Sequence, residues 1–458
     1  MNRVAGRSTI ALLLAGVLIG GMLLFFGEFL FSANEWVHFQ GSPHVYTGGN
    51  IGCGTVLDRS GVLLLSSKND RVYSEDLALR MATIHWLGDR EGYISAPAVS
   101  HYSQEIAGYS LINGMYSYGG VGGEATLTLS AAAQKAALEA MGDRKGTVAV
   151  YNYRTGEILC AVTTPNYDPD NKPDISGDET GAYEGVYLNR FTQVSYVPGS
   201  IFKIVTVAAA LEEMGQSAAE LIFDCQGSYK VGSDYVTCVK AHGKISLKTA
   251  LAKSCNCYFA QLVQKLGGST LERYVGKFCV TDPVSFDGIV TRAGSFDLEG
   301  AASVEIAWSG IGQYEDLVNP ARFMTFMGVI AGGGEAAQPF VVNRVRSDGR
   351  TSYLAERVST GRLLERATCQ TLQELMRNNV TTIYGDNWFP GLDVCAKSGT
   401  AEVGGGEQPN ATFAGFVANE EYPLAFVCVV ENGGAGSDTC VPIVSEVLIA
   451  CKNVLDSE

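Results

Sequence analysis

The segment from Ile10 to Gly27 (IALLLAGVLIGGMLLFFG) limits where the rest of the chain can fold. It carries no charge, continues to Phe31 across Glu28, and is about as long as a hydrocarbon core is thick. Arg3 and Arg7 precede it and no comparable basic group follows. The positive-inside tendency therefore predicts a single membrane span with a cytoplasmic N-terminus and everything after Ser32 outside. A cleaved signal peptide is the competing reading. Bulky Phe31 argues against it, because a small residue is expected at that point if cleavage follows Ala33.

A chain of 458 residues exceeds one ordinary hydrophobic core, so two or three domains are expected. Residues 1–33 read as cytoplasmic tail and anchor, 34–125 as a small pedestal rich in Gly, Ser and Tyr, and 126–458 as the main domain. The stretch Gly119 to Gly123 reads as a flexible joint between the last two. A formal net charge of −15, with no Lys/Arg cluster, excludes a nucleic-acid partner.

The main domain opens with the alternating Glu124 to Leu129 and a helix capped by Ser130 through Met141. Thr147 to Thr163 reads as a hairpin turning at Arg154-Thr155-Gly156. Three further strands are predicted around Cys395–Val403, Thr412–Asn419 and Leu424–Asn432, then a closing helix from Pro442 to Val454. Between these ends the pattern is mostly helical. The expected fold is α/β (α+β): an antiparallel sheet flanked by helices, with an inserted all-helical subdomain forming one wall of a cleft.

Twelve cysteines in an exported chain invite disulfides, and Cys225 with Cys238, bracketing a short polar hairpin, form the best candidate pair. Cys255-Asn256-Cys257 has the wrong spacing and too few partners for zinc, and the five histidines are scattered. Neither a metal nor a cofactor is expected. His242 reads as a turn residue, since no Gly-x-Ser-x-Gly elbow accompanies it.

Three short motifs bear chemistry. Pro198-Gly199-Ser200-Ile201-Phe202-Lys203 opens an apolar helix, so Ser200 and Lys203 share a face. A lysine among apolar neighbours loses its proton readily and can serve as base toward the serine, while the helix N-terminus supplies N–H groups to an oxyanion. Ser254-Cys255-Asn256 lies in a break between two helical runs, where a hydroxyl and an amide stand side by side. Lys397-Ser398-Gly399-Thr400 reads as a strand with Ser398 and Thr400 on one face and Gly399 allowing close approach of a ligand backbone. Each alone also fits a blander reading: a cap, a turn, a surface lysine.

Together, in this order, they resemble the penicillin-binding proteins and serine β-lactamases. Gly310-Ile311-Gly312-Gln313, Asn319-Pro320, Thr412 to Phe416 and Thr164 to Pro169 extend the similarity over 126–458. The resemblance implies a D,D-transpeptidase cross-linking the D-Ala-D-Ala stem peptides of peptidoglycan. Ser200 would be the nucleophile, Lys203 its base, Ser254 a proton relay and Asn256 a grip on the stem amide. Lys397, Ser398 and Thr400 would hold the terminal carboxylate, and β-lactams would acylate Ser200. Gly54 to Gly61 resembles the pedestal of the monofunctional, class B type, although this pedestal is shorter than usual in that class. It is too short for a glycosyltransferase domain, which implies a separate polymerising glycosyltransferase as partner. The alternatives are a D,D-carboxypeptidase, a non-catalytic scaffold, and a β-lactamase or β-lactam sensor.

Overall fold

Two sheets organise the chain in the computed structural model, which describes residues 2–37, 54–66, 71–107, 109–110, 115–116, 122–347 and 349–458. The expected joint falls largely at 119–121, outside the described residues. The apolar N-terminal segment is one helix, Asn2–Val37, and its stretch Gly6–Ser32 is long and apolar enough to cross a membrane. Its large side chains, Leu12 to Phe26 among them, are exposed, as a lipid-facing surface requires.

The main sheet is antiparallel and five-stranded, in the order Val394–Ala401, Asn410–Val417, Leu424–Val430, Gly146–Asn152, Ile158–Thr164. Its strands come from both ends of the main domain, as the sequence predicts. Four of the five are buried along their whole length, because helices cover both faces. Val148, Val150, Phe413 and Phe426 pack with the helices Ala131–Met141 and Gly436–Asp456. Ala149, Tyr151, Ala414 and Val427 point the other way, toward Pro320–Ala331. Period-two alternation thus divides the interior into two cores.

The second sheet has six strands, in the order Arg350–Leu354, Val342–Ser347, Glu124–Leu127, Thr55–Leu57, Leu63–Ser66, Val72–Tyr73. Glu124–Leu127 lies at its centre, parallel to Thr55–Leu57 and antiparallel to Val342–Ser347. Asp58 fastens the strand Thr55–Leu57 to the helix Ala131–Met141. One carboxylate oxygen accepts from the N–H groups of Ser60 and Val62 at 2.8 Å, and the other from the N–H of Ala131 at 2.9 Å, in the first turn of the following helix.

Candidate active site

The serine motif begins with a single 3₁₀ turn, Gly199–Phe202, that passes into the helix Lys203–Met214. Gly199 has φ +59° and donates its N–H to the carbonyl of Gly312 at 2.9 Å. A Cβ on Gly199 would lie 2.8 Å from the Thr400 carbonyl oxygen, and one on Gly312 would lie 2.2 Å from the Gly199 carbonyl oxygen. Three backbones meet at this turn with no room for side chains, which holds Ser200 between the lysine strand and the Gly310–Gln313 loop.

Lys203 is fully buried, and its Nζ sits at the centre of the site. It lies 2.9 Å from Ser200 Oγ, 3.0 Å from Ser254 Oγ, 2.9 Å from the Ser254 carbonyl and 2.8 Å from Asn256 Oδ1. An ammonium has three hydrogens, so four oxygens cannot all accept from it at once. Burial away from water disfavours the charged form and brings its pKa down to about 7, which makes a neutral amine, able to accept a proton from a neighbouring hydroxyl, accessible near neutral pH.

Ser254 is left-handed, with φ +52°, a conformation that costs a non-glycine residue energy and marks an enforced geometry. The helical run predicted over 247–266 breaks there into Leu247–Ala252 and Asn256–Leu266. Asn256 is held at both ends: Oδ1 faces Lys203, and Nδ2 donates to the Thr237 carbonyl at 3.0 Å.

Lys397, Ser398, Gly399 and Thr400 lie on the edge strand Val394–Ala401. A Cβ on Gly399 would approach Thr412 Oγ1 at 2.2 Å and the Ile201 nitrogen at 3.1 Å, so the strand runs directly against the serine turn. Ser398 N–H points off the sheet edge and donates to Tyr384 Oη at 2.8 Å, while Tyr384 Oη donates to Ser398 Oγ at 2.9 Å. By strand periodicity the Thr400 N–H points off the same edge. Lys397 is buried, donates to the Ser398 carbonyl at 2.6 Å, and has its pKa pushed well down by burial, with the charge of Lys203 adding to the effect.

Residues 146–448 match the family described as Penicillin binding protein transpeptidase domain. This chain belongs to that family. Among its relatives, the peptidoglycan D,D-transpeptidase PbpA of Mycolicibacterium smegmatis is 27% identical over 340 residues, covering 68% of each chain. The probable peptidoglycan D,D-transpeptidase FtsI of Caulobacter vibrioides is 28% identical over 302 residues, covering 62% of this chain and 47% of that protein. Among solved structures, the ceftriaxone acyl-enzyme complex of penicillin-binding protein A from Mycobacterium tuberculosis superposes with a TM-score of 0.76 at 23% identity, covering 87% of this chain and 98% of that one.

Within this transpeptidase domain, the sequence by itself assigns Tyr384 neither to the cleft rim nor to the core. Tyr384 is buried, and both its hydrogen bonds go to Ser398. In the sequence Asn319 stands out only as part of an Asn-Pro pair. It caps Pro320–Ala331 and ties that helix to Thr192 and Val194 through Nδ2. The cysteine expectations need correction. Cys225 and Cys238 are free thiols: Cys225 ends the strand Ile222–Cys225 paired with Gly243–Ser246, Cys238 follows the hairpin Ser228–Thr237, and the two sulfurs face a histidine between them rather than forming a bond. His242 faces the sulfurs of both, at 3.5 and 3.6 Å.

Proposed function

We propose that the chain is a peptidoglycan D,D-transpeptidase, the activity for which its PbpA and FtsI relatives are named, acting through Ser200. Support comes chiefly from the placement of Lys203 Nζ, buried and within hydrogen-bond distance of both Ser200 Oγ and Ser254 Oγ. Neutral Lys203 removes the Ser200 proton as Oγ attacks the carbonyl between the two D-alanines of a stem peptide. The N–H groups of Ser200 and Thr400 receive the oxyanion, whose stabilisation by two such donors is worth on the order of 100-fold or more each. The C–N bond breaks, and the proton passes from Lys203 through Ser254 to the departing D-alanine amine, leaving an ester on Ser200. An amine of a second stem attacks that ester, forms the cross-link and returns a proton to Ser200.

Lys397, Ser398 and Thr400 bind the donor carboxylate, and Gly399 admits the peptide backbone. Asn256 keeps Lys203 in place and borders the donor amide. β-Lactams acylate Ser200 by the same route. The helix Asn2–Val37 anchors the chain with its N-terminus in the cytoplasm and residues 126–458 as an extracytoplasmic catalytic unit. Residues 34–125 serve as a docking pedestal, and a polymerising glycosyltransferase supplies the glycan strands. Fluorescent penicillin tests the nucleophile: the wild type labels covalently and Ser200→Ala does not, and equal labelling of both refutes the assignment. A thioester donor with a D-amino acid acceptor tests the reaction. Acceptor-containing product is expected, and free acid alone would make the chain a carboxypeptidase.

A further inference from the structure

Cys225, the loop pair Cys238 and His242, and Cys255 come from three separate segments, yet their ligand atoms all lie within 4.8 Å of one another. Cys225 ends the strand Ile222–Cys225, and Cys238 follows the strand Asp234–Thr237. His242 precedes the strand Gly243–Ser246, and Cys255 caps the helix Asn256–Leu266. Cys225 and Cys255 are fully buried.

The separations distinguish what such a cluster can hold. A disulfide requires about 2.05 Å between sulfurs. A tetrahedral zinc with Zn–S of about 2.3 Å and Zn–N of about 2.0 Å sets its ligands about 3.8 Å apart for two sulfurs and about 3.5 Å for sulfur and nitrogen. Here Cys238 Sγ stands 3.9 Å from Cys255 Sγ, and His242 Nδ1 stands 3.5 Å from Cys225 Sγ and 3.6 Å from Cys238 Sγ. These three separations match edges of such a tetrahedron, and the other three are no longer than 4.8 Å. A further thiol nearby, Cys257, is turned to the Val236 carbonyl at 3.8 Å.

We propose that Cys225, Cys238, His242 and Cys255 form a structural zinc site beside the serine-asparagine loop of the active site. Three thiolates and one imidazole are a closed, soft ligand set that selects zinc over oxygen-preferring cations. The surroundings need such a staple. Two two-stranded sheets, Ser228–Val231 with Asp234–Thr237 and Ile222–Cys225 with Gly243–Ser246, meet the helix end there, and isolated pairs of that size are marginally stable. The staple lands on the chemistry. Cys255 separates Ser254 from Asn256, both of which hold Lys203 Nζ, and Asn256 Nδ2 bonds to Thr237, next to Cys238.

The test uses the full-length chain in detergent, purified under reducing conditions, exposed to zinc chloride and then desalted. About one zinc per chain is expected by elemental analysis. Replacement with cobalt(II) should give the intense visible d–d bands of a tetrahedral site and a near-ultraviolet thiolate-to-cobalt band. Cys225→Ser and His242→Ala should each weaken zinc binding tenfold or more, while Cys369→Ser, at a buried thiol elsewhere in the fold, should leave it unchanged. If a variant does not fold, the wild-type stoichiometry and cobalt spectrum still decide. Zinc content no higher than adventitious background overturns the proposal, as does an octahedral cobalt spectrum. A dithiothreitol-reversible loss of two titratable thiols that persists with zinc present also overturns it, because the sulfurs would then be a disulfide. None of these measurements involves acylation of Ser200, so the result stands apart from the transpeptidase reading.

Discussion

In the proposed reaction Lys203 is the base, and its protonation sets a pH dependence. Its pKa is lowered to about 7, burial being the cause, and the amine acts as base only without its extra proton. The rate of acylation by a β-lactam should therefore rise with pH through a midpoint near 7 and level off above it. Stopped-flow measurement across that range checks this; a rate that falls as pH rises through 7 would mean that the protonated form is the active one. Tyr384 gives a second expectation. Its hydroxyl holds both the N–H and the Oγ of Ser398, so Tyr384→Phe leaves a buried edge donor unpaired. That should cost about 1–3 kcal/mol of stability, read by thermal denaturation, and slow acylation about tenfold. Ser200, Lys203, Ser254 and Asn256 were all identifiable from sequence, because helical spacing and a helix break are local patterns. Tyr384 was not, since its role depends on an edge strand it reaches only in the folded chain.

At the scale of elements, caps and glycines fix how the pieces meet. Asn319 is fully buried, accepts from the N–H groups of Ala321 and Arg322, and donates to two carbonyls of the segment before the serine turn. Asn319→Ala removes a cap and orphans buried partners, so a loss of about 2–4 kcal/mol is expected from denaturant unfolding. Gly312, at φ +84°, admits no Cβ without collision with Gly199 and Phe202. Gly312→Ala should move the serine turn and reduce penicillin labelling by an order of magnitude or more. The helix Ala131–Met141 has the limits read from its Ser130 cap and periodicity. The closing helix does not: it runs Gly436–Asp456 and continues through Pro442, which the sequence reading takes as its start. The buried neighbours Cys440, Val441, Ile443 and Val444 outweigh the N–H that proline lacks.

For the whole molecule, the six-stranded sheet couples the segments before and after the serine helix. Glu124–Leu127 sits between Thr55–Leu57 and Val342–Ser347, so a fragment spanning 126–458 loses part of its central strand and every strand on one side of it. That fragment should aggregate or melt broadly, whereas 54–458 should unfold in one cooperative transition by calorimetry. Sequence alone determined the strands of the main sheet, the apolar N-terminal segment and the residues of the three motifs, because periodicity, capping and spacing are written within a few residues of each other. The insert it reads as all-helical also holds the pair Ile222–Cys225 with Gly243–Ser246, whose partners lie apart in the chain. Only the tertiary structure decided that Lys203 lies among four oxygens, that Tyr384 secures Ser398, that strands hundreds of residues apart share a sheet, and that three cysteines and a histidine converge behind Asn256. Those outcomes depend on long-range pairing and burial, and the energy selecting them appears only once distant segments exclude water together.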